Sequence, residues 1–277
     1  MVEKLRPDVP EKKPPFLIRN ALVARGIAAA VDWRVGNGLT KDGHILLRKI
    51  IVKALQGTKV SIAKDVFRVC QGAKLAVEVD GQRNIPTSGP TVFIGNHTFG
   101  GPLYHMGQFF QMVKEGYDSR SDVEEDGVRE PFMIVQRGLA QGRIMQYLSG
   151  VFYEVVGGSF SCEMVEIPSH NKEGEIVNSQ NLKDTAITRV TADGGASLWL
   201  PQGTHREPDD LRFPEKGTGF LRKINNENSS VQLVPVRSIP DPHGNVKLVF
   251  GPAVDVNHVV ANGGINYFAE KHISPLK

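Results

Sequence analysis

Near Lys74 the sequence changes its periodicity, and this change restricts the fold more than any other feature. Before it, apolar residues recur at helical spacing; after it, they come in short β-type runs. The runs are Leu75–Val79, Val92–Ile94, Phe132–Val135, Val151–Val156, Ser197–Leu200, Val231–Val236 and Val246–Phe250. Helix-length segments lie between several of them, near 102–115, 138–149, 181–192 and 216–226. Strands that alternate with helices are joined by crossovers, and crossovers cover the sheet faces. The pattern therefore predicts an α/β fold, a mixed, largely parallel sheet flanked by helices, with an N-terminal helical extension. The acid-rich stretch Tyr117–Glu130 reads as an exposed loop, and the polar, Gly-rich residues 157–180 as an irregular excursion.

The division falls into a basic helical region at 1–72 and an α/β domain at 73–277. Residues 1–15 read as a loose, Pro-rich leader without the apolar core of a secretory signal. Helices are predicted at 16–32, at 45–56 between Gly43 and Gly57, and from about Ser61, as cap, to Cys70. Residues 1–75 hold 15 Lys+Arg against 6 Asp+Glu, whereas the other 202 hold 18 against 24. A basic, helix-forming front end suits anionic lipid headgroups, nucleic acid or an acidic protein; it also suits a solvated face with no partner. It lacks the aromatic and basic interleaving of single-strand binders, so no nucleic-acid partner is expected.

No apolar stretch spans a bilayer: the best, Phe16–Trp33, is interrupted by Arg19, Arg25 and Asp32. With only Cys70 and Cys162, 92 positions apart, a cysteine-rich metal site is excluded and a reducing compartment is expected. The expected location is cytoplasmic, with peripheral contact to a membrane.

Two segments carry chemistry. In Thr91-Val92-Phe93-Ile94-Gly95-Asn96-His97-Thr98-Phe99-Gly100-Gly101-Pro102, Asn96 and His97 stand just past a short apolar strand. Strand C-termini of open α/β sheets are where ligands bind. Pro102 suits the first position of a helix, where its missing N–H is harmless. A histidine there is fitted to take a proton near neutral pH, or else packs against a backbone carbonyl; His105, one turn on, reads as structural.

The second segment, Trp199-Leu200-Pro201-Gln202-Gly203-Thr204-His205-Arg206, also follows an apolar strand. Gly203 permits a sharp turn, while Thr204, His205 and Arg206 offer donors to an anion. Lys216, in Glu215-Lys216-Gly217-Thr218-Gly219, adds a cation at a helix start. The order is not that of a P-loop, and a solvated loop with incidental charges is the alternative. No His-x-x-x-His pair occurs and no metal is expected.

Together these segments resemble the glycerolipid acyltransferases, which move a fatty acyl group from acyl-CoA or acyl carrier protein onto glycerol-3-phosphate or a lysophospholipid. The likeness is strongest over Val77–Leu103, where Gly81-Gln82-Arg83-Asn84-Ile85-Pro86 and Gly89-Pro90 precede the strand and Asn96-His97. It resumes at Leu200–Phe220, against a Pro-Glu-Gly-Thr-Arg-type segment, and ends at Leu233-Val234-Pro235-Val236. The helical front end with Gly194-Gly195 and Pro208-Asp209 is also similar to the soluble plastid-type glycerol-3-phosphate acyltransferases.

The resemblance implies phospholipid chemistry by direct acyl transfer, with His97 as general base and Asn96 beside it. Gly203, Thr204, His205, Arg206 and Lys216 would hold an acceptor phosphate, and Gly100 or Gly101 would supply an oxyanion donor. It implies an acyl thioester as co-substrate, carried on CoA or acyl carrier protein, and no other cofactor. The chain departs from the family at four places. Pro102 stands where an aspartate follows the histidine by five positions, and Gln202 where the family has glutamate. His205 takes an arginine's register, with Arg206 displaced by one, and Val156 replaces a further arginine. In the aspartate's place, the orienter of His97 would be a backbone carbonyl, a water, Glu154 or Glu215. The acceptor would then be less phosphate-like: an amine, a sugar or a lipid alcohol. The alternative is a non-catalytic relative that binds a lipid or a partner.

Overall fold

The computed structural model describes residues 20–35, 38–58, 60–66, 68–69, 77–97, 102–121, 132–136, 164–167, 180–191, 196–202, 207, 209–240 and 245–277. Two helices open it, α1 (Ala21–Val35) and α2 (Lys41–Leu55). Thr40 caps α2, its Oγ1 accepting from the Gly43 N–H at 3.2 Å, with Asp42 in the positive first turn. Gly43, Leu47, Ile50 and Ala54 are the buried stripe of α2, at the spacing of one helix face. The two helices pack as a hairpin, joined by Ala24 and Leu55 with Ile27, Ile51 and Val52.

Among the described residues eight strands form one sheet: β1 (Val77–Asp80), β2 (Thr91–Gly95), β3 (Phe132–Gln136), β4 (Met164–Ile167), β5 (Ala196–Trp199), β6 (Gln232–Pro240), β7 (Val246–Phe250) and β8 (Val254–Asp255). Their order is β1-β7-β6-β2-β5-β3-β4, with β8 also on β6. The pairs β2–β5, β2–β6, β3–β5, β3–β4 and β1–β7 are parallel; β6–β7 and β6–β8 are antiparallel. The sheet is thus mixed and largely parallel, flanked by helices and preceded by a helical extension, as the change of periodicity predicts.

Strand β2 is central and buried along its whole length, which is why Val92, Phe93 and Ile94 follow one another without polar alternation. On one sheet face Phe93, Leu198, Val234 and Phe250 share a core with Leu47, Ile50 and Ala54 of α2 and with Val60 and Ala63. The helical front end therefore packs across the sheet. The opposite face, with Val92, Ile94 and Leu233, is covered by α4 (Gln180–Thr191), α5 (Lys216–Glu227), α6 (Val256–Ala261) and α7 (Ile265–Phe268). Helix α3 (Pro102–Asp118) starts at the proline that suits such a start and contributes Met112 and Val113 to the first core.

Three expectations need correction. In the helix expected from Ser61 to Cys70 the described residues are π-helical at Ile62–Val66 and α-helical at Arg68 and Val69, so the first turn is wider than an α-helix, while Phe67 and Cys70 lie outside the described residues. Ser61 does cap it: its Oγ accepts from the Lys64 N–H at 3.0 Å, and its own N–H donates to Asp65. Strand β4 lies inside the stretch expected to be irregular, and α6 and α7 follow the last predicted strand. Residues 117–118 complete α3, whereas the acid-rich 122–130 lie outside the described residues, as do Val151–Val156 and the helix expected near 138–149.

Candidate active site

Because β2 is parallel to both β5 and β6, their C-terminal ends meet on one edge of the sheet. Gly95 is level with Val236, and Ile94 with Trp199. Asn96 and His97 leave β2 at this edge, and the second chemical segment leaves β5 beside them.

Asn96 is 1% exposed, and its amide is engaged at both ends. Its Nδ2 donates to the Ser238 carbonyl at 3.0 Å, and its Oδ1 accepts from the Ser238 N–H at 2.7 Å. The side chain thereby continues the β2–β6 pairing one residue beyond the ladder. Both ends of the Asn96 amide, expected beside His97 in the catalytic pair, are thus committed to the Ser238 backbone, which makes the side chain a clamp between β2 and β6.

His97 is partly buried, with its Nδ1 closed off from solvent. Its backbone N–H donates to Oε1 of Gln202 at 2.5 Å, across 105 residues of sequence. Gln202, 5% exposed, in turn donates from Nε2 to the Asp210 carbonyl at 2.5 Å. A glutamine can accept at one end and donate at the other; an ionised glutamate only accepts. The amide at this position is thus matched to its two neighbours. One contact joins the two segments that the sequence marks separately.

Gly203, Thr204, His205 and Arg206 follow Gln202 directly and lie outside the described residues, as do Gly100, Gly101 and Glu154. Lys216 opens α5 with an exposed side chain, and Glu215 beside it is exposed too. Among the described residues no group of three or more His, Cys, Asp or Glu is placed to hold a metal.

No family model matches this chain, and no curated protein matches it. Among solved structures it is similar to the crystal structure of the 1-acyl-sn-glycerophosphate (LPA) acyltransferase PlsC from Thermotoga maritima. That match has 15% sequence identity, covers 92% of this chain and 91% of that chain, and has a TM-score of 0.45. The likeness is distant.

Gln108 is the residue that sequence reasoning missed. It lies on α3, fully buried, and its Nε2 donates to the Asn96 carbonyl at 2.9 Å. Its only sequence signal is a polar side chain within the apolar run Met106-Gly107-Gln108-Phe109-Phe110. Arg237 was missed as well. From β6 it donates to the Ser274 and Leu276 carbonyls at 2.7 and 2.9 Å and pairs with Asp209 at 2.6 Å, tying the C-terminal segment to the 209–213 loop.

A cleft of about 840 Å³ lies between that loop and the C-terminal helices, lined by Asp210, Arg212, Phe213, Asn266 and Glu270 among others. Within it Asp210 is held bidentately by Arg212. His97 is not in its lining, and its Asp210 carboxylate is already engaged by Arg212, so the strand ends are the stronger candidate for chemistry.

Proposed function

We propose that the chain transfers an acyl group from a fatty acyl thioester, on CoA or acyl carrier protein, to a hydroxyl or amine of a glycerophosphate, lysolipid or related acceptor. The observation that carries this reading is the 2.5 Å contact between the His97 N–H and Gln202. It sets the imidazole-bearing segment beside Gln202, the residue that precedes Gly203–Arg206 in the chain, which supports one site shared by the two segments. The resemblance of the same two segments to glycerolipid acyltransferases supplies the reaction class.

His97 is the general base. With Nδ1 closed off from solvent, Nε2 is the nitrogen that takes the acceptor proton. The acceptor oxygen or nitrogen bonds to the acyl carbon as the carbon–sulfur bond breaks, and the proton passes to the leaving thiolate. No covalent enzyme intermediate is required. Backbone N–H groups at Gly100 and Gly101 stabilise the oxyanion. Gly203, Thr204, His205, Arg206 and Lys216 bind the polar head of the acceptor, while the front helices rest on an anionic membrane surface.

The test is turnover of acyl-CoA and acyl carrier protein against a panel of glycerophosphate, lysolipid and amine acceptors, with His97→Ala alongside. Transfer that falls by a factor of about 100 or more in the variant supports the base, within the usual range of general-base contributions. Undiminished transfer removes it. The second reading, a lipid- or partner-binding relative without catalysis, is favoured by Pro102 in the aspartate's place. It predicts lipid binding with no turnover on any acceptor.

A further inference from the structure

The peptide unit between Asn96 and His97 is held from both sides by glutamines of two different elements. Its carbonyl accepts from Gln108 of α3 at 2.9 Å, and its N–H donates to Gln202, after β5, at 2.5 Å. Both glutamines are essentially inaccessible to solvent, 0% and 5% exposed, so water is a poor substitute for either bond. Each is also in the amide orientation its partner requires, a donor toward the carbonyl and an acceptor toward the N–H. Gln202 is itself fixed at its other end by the Asp210 carbonyl, and Asn96 by Ser238.

We propose that Gln108 and Gln202 are a pair of positioning residues that orient His97 through its backbone, by fixing the plane of the 96–97 peptide. The proposal rests on the reading of His97 as the base. In the resembled family a carboxylate five positions on orients the histidine; here that position is Pro102, the first residue of α3. The helix it starts returns Gln108 to the histidine's own peptide. With this plane fixed on two sides, the position of the His97 Cα is set and the ring is left with rotation about the N–Cα bond and its own side-chain rotations, so neutral amides in place of a charge narrow its placement. The side chains making these bonds, Gln108, Gln202 and Asn96, carry no charge. Of the charged groups beside these bonds, Asp210 is paired with Arg212, and Arg237 with Asp209.

The test uses the full chain and the variants Gln108→Met, Gln202→Met and Gln202→Glu, with circular dichroism as a check on folding. The first readout needs no substrate: the His97 ring resonances in a pH titration by NMR, assigned by their absence in His97→Ala. In either methionine variant the His97 resonances should shift or broaden and their titration should change. The second readout is transfer kinetics, with kcat falling between about tenfold and a hundredfold while KM stays within a factor of about two, the scale on which a misplaced group acts. Gln202→Glu keeps an acceptor facing the His97 N–H, so its kcat should stand between the methionine variant and the native chain. Ring resonances and kcat unchanged in a folded methionine variant would overturn the clamp, and each variant decides independently should the other fail to fold. Transfer that survives His97→Ala, or no transfer on any acceptor, counts against acyl transfer by His97; the ring titration still decides the clamp.

Discussion

At the scale of single residues, Asn96 and His272 make separable predictions. Asn96 exchanges two hydrogen bonds with the Ser238 backbone in a position closed to water. Asn96→Asp keeps the acceptor but sets an anion against the Ser238 carbonyl, and Asn96→Ala leaves both backbone groups unpaired. Each should lower stability by about 1–3 kcal/mol in urea unfolding. A midpoint equal to that of the native chain would mean that Asn96 is not a clamp. His272 lies among Tyr267, Phe268 and His258. Burial, and after it the charge of His258, holds its imidazole below the ordinary value of 6.5. The folded chain therefore binds fewer protons than the unfolded one as pH falls through that value, so this contribution to stability is lost on acidification. His272→Phe should flatten the fall in unfolding free energy between about pH 7 and pH 5. Parallel curves for the two proteins would contradict the assignment. Glu115, raised chiefly by burial, gives the opposite slope above 4.5, so native and variant are compared at equal pH.

At the scale of elements, the turn that ends β1 leaves little room for change. Gly81 has φ +80°, and a Cβ there would lie 2.0 Å from the Phe250 carbonyl oxygen. That oxygen also accepts from Asn84 Nδ2 at 2.8 Å, so the turn is bound to the end of β7 as well as shaped by its glycine. Gly81→Ala combines left-handed strain with a backbone clash, and should cost at least about 1–3 kcal/mol in thermal or urea unfolding. A native-like melting curve would show that the turn can relax. In the front hairpin, Asp32 is 1% exposed and held by His44 Nδ1 at 2.6 Å and Arg48 Nε at 2.5 Å. The one acidic residue of α1 is thus turned inward, against two groups of α2.

That inward turn matters for the molecule as a whole. Among the described residues the exposed large hydrophobics are Leu22, Val23, Trp33 and Ile45, all on the two front helices. Leu22 is 77% and Trp33 84% exposed, and Arg25, Lys41, Arg48, Lys49 and Lys53 of the same two helices are exposed too. No helix of the described residues is long and apolar enough to cross a membrane. Exposed apolar side chains and cations on the same two helices are what a bilayer surface takes, by insertion of the apolar groups and attraction to anionic headgroups. The chain should float with anionic vesicles, more weakly as salt rises, and Leu22→Ser with Trp33→Ser should release it. Equal recovery with neutral vesicles, or none with either kind, would remove the membrane from the proposal.

Much of this is legible before folding, and some is not. The consecutive Val92, Phe93 and Ile94 of β2, the proline that opens α3 and the stripe of α2 place their elements because conformational preference resides in neighbouring side chains. The same locality puts Asn96 and His97 at a strand end. It misses β4, four residues within a polar stretch, whose strand character comes from pairing with β3 and not from its own pattern. It does not reveal that the Asn96 amide pairs with Ser238, because an asparagine facing a distant backbone and one facing solvent have the same sequence. The sequence alone thus determined the fold class, most of the elements in their order and the two candidate segments. Only the tertiary structure decided that Gln108 and Gln202 meet at one peptide, because hydrogen bonds between residues far apart in the chain depend on strand order and register, which local spacing does not encode.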